Sequence, residues 1–105
     1  MIVFIRKSME MDEVFKRVRE KYYKVDSESG SLFLLAVFFE EAGELAEAVR
    51  RNKINEIEEE LADVLFMVIS LSNLFNVNPG KRLVEKYLEG DPSKGWDLPM
   101  RRSQE

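Results

Sequence analysis

The chain has 105 residues, 45% of them hydrophobic and 34% charged, with a formal net charge of −4; this is the make-up of one folded domain, residues 1–105, without the length for a second core. It has no cysteine and no histidine, which excludes disulfides, thiol and imidazole catalysis, and zinc sites built on either ligand. The acidic balance speaks against a nucleic-acid partner held on a basic surface, so the chemistry open to the chain rests on carboxylates, amines, hydroxyls and oxygen-bound metal ions.

In chain order, "IVFI" (2–5) is β-prone but isolated, an extended arm or a first helical turn. "MIVFI" is too short for the apolar core of a signal peptide. The longest apolar run, Leu32 to Phe39, is far short of the ~20 residues a membrane helix needs. The expected location is the cytoplasm, with no membrane partner. Met11, Val14, Phe15, Val18 and Tyr22 recur at helical spacing and predict a helix over about 9–24, with Ser8 as its N-cap. "DSESGS" (26–31) reads as a loop.

From Leu32 to about Arg51 only Gly43 interrupts a second helix. Its first two turns are apolar on every side and need burial all round, which a partner subunit supplies better than one small bundle. "RNKIN" (51–55) is a short connection in which Asn55 and Glu58 have the spacing of a capping box, so a third helix is expected over about 56–76. Asn78 then caps a last short helix with Pro79 at its first position and Leu83, Val84, Tyr87 and Leu88 on one face. Past Gly90 the proline- and glycine-containing tail (90–105) is irregular, leaving a core of about 9–89. The expected fold is all-α: a helical bundle of two long antiparallel helices with shorter flanking helices, completed by oligomerisation.

Two acidic stretches interrupt the apolar runs, "FFEEAGELAEA" (38–48) and "EELADVLFMVI" (59–69). At 100° per residue Glu40, Glu44 and Glu47 share a stripe, with Glu41 about 60° to one side, while Glu56, Glu60 and Asp63 share another. A turn centred between Lys53 and Ile54 puts Glu44 and Asp63 each roughly 14 Å from it, with Glu47 and Glu60 at the next level. Glutamates on helices usually mark a solvated face, and Glu28, Glu56, Glu58 and Glu59 fit that description. Asp63 does not, because Leu61, Ala62 and the run Val64–Ile69 surround it, and Val37–Phe39 press on Glu40 and Glu41. Crowded, half-buried carboxylates repel and lose hydration, at several kcal/mol per ion. The nearest bases in sequence, Arg50, Arg51 and Lys53, sit at the loop end, so a divalent cation is the better compensation. Oxygen ligands alone suit Mg²⁺, or Mn²⁺ in its place. The di-iron bundle pattern requires Glu-x-x-His and fails for lack of histidine.

"EEAGE" (40–44) and "ELAD" (60–63), continued by "VLFMVISLSNLFNV" and by "KY" (86–87), resemble the EExxE…ExxD signature of the MazG-like all-α nucleotide pyrophosphohydrolases over about residues 30–88. The resemblance implies Mg²⁺-dependent cleavage of a nucleoside triphosphate between its α and β phosphates, a house-cleaning reaction of nucleotide metabolism, by a homodimer or tetramer. It implies that Glu41, Glu44, Glu60 and Asp63 bind metal. Glu40 matches the extra acid, either a further ligand or the group that orients water, so Glu40 and Glu41 are the catalytic candidates. Asn73 and Lys86 match positions that contact the nucleotide or its phosphates. Narrower alternatives are a dCTP- or dUTP-type pyrophosphatase and a phosphoribosyl-ATP pyrophosphohydrolase; from a different class, the acids could be structural in a non-catalytic helical dimerisation module. Plain readings stand beside these roles: Asn73 bonds a neighbouring backbone, Lys86 is a surface lysine, and Phe15, Tyr22, Phe33, Phe38 and Trp96 are core aromatics rather than base-stacking ones.

Overall fold

The computed structural model describes residues 9–90. They form four α-helices, α1 (Met11–Ser29), α2 (Ser31–Arg50), α3 (Ile54–Phe75) and α4 (Pro79–Leu83), and α4 runs directly into a π-helical turn, Val84–Leu88. The fold is all-α, and no strand occurs among the described residues. Three helices are long, not two, because "DSESGS" does not open a loop. Asp and Ser are weak helix formers, yet α1 continues to Ser29, with Asp26 buried on it, so packing overrides local preference. Only Gly30 separates α1 from α2. Its φ of 92° is open to glycine and strained for other residues, and its N–H donates to the Asp26 carbonyl at 2.9 Å. Ser8, "IVFI", Trp96 and the tail from Asp91 lie outside the described residues; Glu10 holds the N-cap position of α1, without a side-chain capping bond.

The connection from α2 to α3 is set by Asn52 and not by Asn55. Asn52 takes a left-handed conformation (φ 56°), which asparagine tolerates better than most residues. The Lys53 N–H then reaches the Ala48 carbonyl at 3.1 Å and the Asn52 N–H reaches Val49 at 3.0 Å, the paired bonds of a Schellman stop. Asn55 is consequently the second residue of α3, whose N-cap is Lys53 with no side-chain capping bond. Asn76 ends α3 in the same way, with φ 56° and bonds from Asn76 N–H to Asn73 and from Val77 N–H to Ser72. At α4 the expected cap is present: Asn78 Oδ1 accepts from the Lys81 N–H at 3.0 Å, and Pro79 opens the helix.

The most extensive helix contact is between α2 and α3, followed by α1 on α3, while α1 touches α2 less. Val14, Phe15, Val18 and Tyr22 are the half-buried face of α1, and the Tyr22 ring meets Phe66 edge-on at 5.0 Å. The described apolar side chains that are fully buried are few: Leu34, Ala48, Met67 and Ile69. All-round burial of the start of α2 is therefore not achieved by the described residues. α3 covers one side of it, and Leu32 and Phe33 on the other sides remain in solvent. No single described helix is long and apolar enough to cross a membrane.

Candidate metal centre

One row of buried and half-buried side chains along α2 is Leu34, Val37, Phe38, Glu41, Leu45 and Ala48, and one along α3 is Ile57, Glu60, Val64, Met67 and Leu71. Each series keeps the three-and-four spacing of one helical face, and each is apolar except for a single glutamate. Those two glutamates meet. With Asp63, one turn beyond Glu60, they place one carboxylate oxygen each within 4.8 Å of one another.

The helical-wheel expectation was therefore rotated by one position on α2. Glu41 belongs to the packed face, whereas Glu40 is exposed and stands outside the cluster. Glu47 does not meet Glu60; it is engaged by Arg50 at 2.6 Å and by Arg51 at 2.7 Å. Glu56 is exposed, in keeping with a solvated face. Asp63 is also exposed rather than enclosed, because its neighbours Leu61 and Leu65 themselves leave about half their surface in solvent (52% and 47%). Glu44 is exposed, and its charge acts on both Glu41 and Glu60.

The electrostatics follow from this placement. Loss of hydration pushes the Glu41 carboxyl up to about 7, and the negative charges of Glu44, Asp63 and Glu60 push in the same direction. Glu60 is also raised, first by desolvation and then by Glu44. With both groups ionised, Oε1 of Glu41 and Oε1 of Glu60 are buried and find no donor. A proton on Glu41 relieves this by bonding to Glu60. The charges that act on the pair are all negative, while Arg50 and Arg51 are occupied by Glu47. Orphaned buried oxygens and convergent carboxylates, with no adjacent base among the described residues, suit a hard divalent cation, which takes oxygen ligands. The residues present fit such an ion, with Glu41, Glu60 and Asp63 as ligands and Glu44 within electrostatic reach.

Asn73 lies on α3, where its Nδ2 donates to the Phe15 carbonyl at 3.1 Å and its own carbonyl accepts from Arg19 at 2.9 Å. These bonds fasten α3 to α1. Lys86 is half-buried in the π turn, with Nζ 5.7 Å from the centre of the Tyr87 ring. Such turns recur at functional sites, and nothing in the residue pattern of Val84–Leu88 announces one. A cleft of about 560 Å³ opens between the start of α1 (Glu10, Met11, Asp12) and the Asn78–Val84 segment, and none of its lining residues belongs to the acidic cluster.

No curated protein matches the chain at a significant level. Residues 29–92 match the MazG nucleotide pyrophosphohydrolase domain. That span holds α2, α3, α4, the π turn and all three clustered carboxylates. The match takes in more than half of the chain, which belongs to the MazG nucleotide pyrophosphohydrolase family.

Proposed function

We propose that this chain hydrolyses a nucleoside triphosphate between its α and β phosphates, releasing a nucleoside monophosphate and pyrophosphate, with Mg²⁺ at the acidic cluster and as a homo-oligomer. The observation that carries the reading is the meeting of Glu41, Glu60 and Asp63 within 4.8 Å, with two buried oxygens left without donors, inside the span that matches the family. When bound, Mg²⁺ neutralises phosphate oxygens and lowers the pKa of coordinated water. Glu41, Glu60 and Asp63 would hold it, and Glu44 would add its charge from the exposed side. Glu40, solvent-facing and next to Glu41, is the carboxylate assigned to take the proton of the attacking water. Lys86 contributes a positive charge for the departing pyrophosphate. Asn73 serves the site indirectly, by holding α3 on α1.

The test is to incubate the protein with a panel of ribo- and deoxynucleoside triphosphates and Mg²⁺ and to identify the products. Pyrophosphate and monophosphate in equal amounts are expected, without orthophosphate, and the panel names the preferred base. Orthophosphate as the product, or no turnover of any nucleotide by folded protein in saturating Mg²⁺, would overturn the proposal.

A further inference from the structure

The face of α2 turned away from the acidic cluster carries a second regular series: Leu32, Ala36, Phe39, Gly43 and Ala46, at spacings of four and three. Every member is exposed. That spacing is the seam of a helix pair, but no element among the described residues covers it. Gly43 is the informative residue. A Cβ built there meets nothing within 4 Å, and glycine inside a helix is disfavoured relative to alanine, so no packing among the described residues accounts for it. Beside it Phe39 leaves 63% of its surface in solvent.

We infer that a second copy of this chain packs its own α2 across this seam, running antiparallel, with Phe39 of each copy seated in the notch over Gly43 of the other. The inference rests on the homo-oligomer proposed above and specifies its interface. The series is complementary to itself: a two-fold axis level with Glu41 sets Phe39 against Gly43 twice and Ala36 against Ala46 twice, large on absent and small on small. An interface between identical patches has this form. The area also suits it. Leu32 and Phe39, with Leu35 at the edge of the seam, leave 80, 63 and 39% of their surfaces exposed, on the order of 350 Å² at roughly 200 Å² per large apolar side chain, which makes the apolar centre of the ~800 Å² each partner gives to a standard interface. The five members of the seam carry no charge, and the next position along it, Arg50, which falls opposite Leu32 of the partner subunit, is held by Glu47 of its own chain. Glu41 lies about 160° around the helix from Gly43, so the seam and the metal centre occupy opposite sides of one helical segment.

The test is sedimentation equilibrium of the full chain over a range of concentrations, with helix content followed by circular dichroism. Gly43→Leu should weaken association at least 100-fold while keeping wild-type helicity, because the site is open within a single chain. Gly43→Ala, a smaller intrusion, should weaken it by about tenfold with helicity equal or higher. The double variant Phe39→Ala, Gly43→Leu should recover much of the lost association, since it moves the knob from one position to the other. Wild-type association in Gly43→Leu, or a double variant weaker than both single ones, would overturn this interface and leave the oligomer standing. A wild-type chain that stays monomeric at every concentration would overturn both.

Discussion

Replacing Glu41 by glutamine isolates the electrostatic strain of the metal-free site. In the folded protein the Glu41 carboxyl is raised from the ordinary 4.5 to about 7. The folded state therefore holds about 0.9 of a proton more than the unfolded chain midway between those values, about half at pH 7 and about a tenth at pH 8. A state that binds more protons gains relative stability as pH falls. The stabilising contribution of Glu41 is thus complete below pH 4.5 and is lost as pH rises through 7, and Glu60, raised in the same direction, adds to the trend. The assay is urea unfolding in excess chelator at pH 5, 6, 7 and 8. The wild-type midpoint should fall across this range, most steeply between 5 and 7. Glu41→Gln, which cannot ionise, should flatten the curve and be the more stable protein at pH 8. A wild-type midpoint that climbs from pH 5 to 8 would refute the reasoning, and so would a glutamine variant that falls as steeply as the parent.

Mg²⁺ should raise the melting temperature at pH 8, by an amount equivalent to about 2.7 kcal/mol when the ion is at a hundred times its Kd; equal melting in Mg²⁺ and in chelator would count against a metal site. Asp63→Asn and Glu44→Gln should lower triphosphate cleavage by orders of magnitude without lowering the urea midpoint of the metal-free protein, whereas Glu58→Gln, on the exposed side of α3, should keep nearly full activity; steady-state rates and denaturation curves read both. Ser70 keeps only 1% of its surface exposed, and its Oγ has no partner. Ser70→Ala should therefore stabilise the fold by about 1 kcal/mol or more, seen as a higher urea midpoint, and a loss of stability would reveal a bond to that hydroxyl.

The helices and their acids were legible because each leaves a local trace: apolar spacing, Asn78 before Pro79, and carboxylates inside otherwise apolar runs. The end of α1 was not, since the weak preferences of Asp26, Ser27 and Ser29 yield to packing that no short window contains. The capping-box spacing of Asn55 and Glu58 misled because the stop belongs to Asn52, and a left-handed asparagine is recognised by its backbone rather than by its neighbours. The facing stripe was misplaced by one residue on α2. The correction lay in the chain all along, since Leu34, Val37, Phe38, Leu45 and Ala48 carry Glu41 and not Glu40 among them. What the helical wheel did not decide is the partner of Glu47, which could have joined the shared ion site with the α3 carboxylates or paired with Arg50 and Arg51; the local arginines hold it.

The turn made by Arg51, Asn52 and Lys53 has a consequence for the order of events in folding. It confines the whole cluster to residues 41–63, so the carboxylates meet as soon as one helical hairpin closes. Short loops cost little entropy to close, and contacts near in sequence form early. The repulsion should thus be encountered on the way up the barrier, before α1 has docked. An ion that screens it would act as a reactant in folding and not merely as a passenger of the finished protein. Mg²⁺ should accordingly speed refolding of the chain, and stopped-flow traces with and without chelator should differ in their folding limb more than in their unfolding limb.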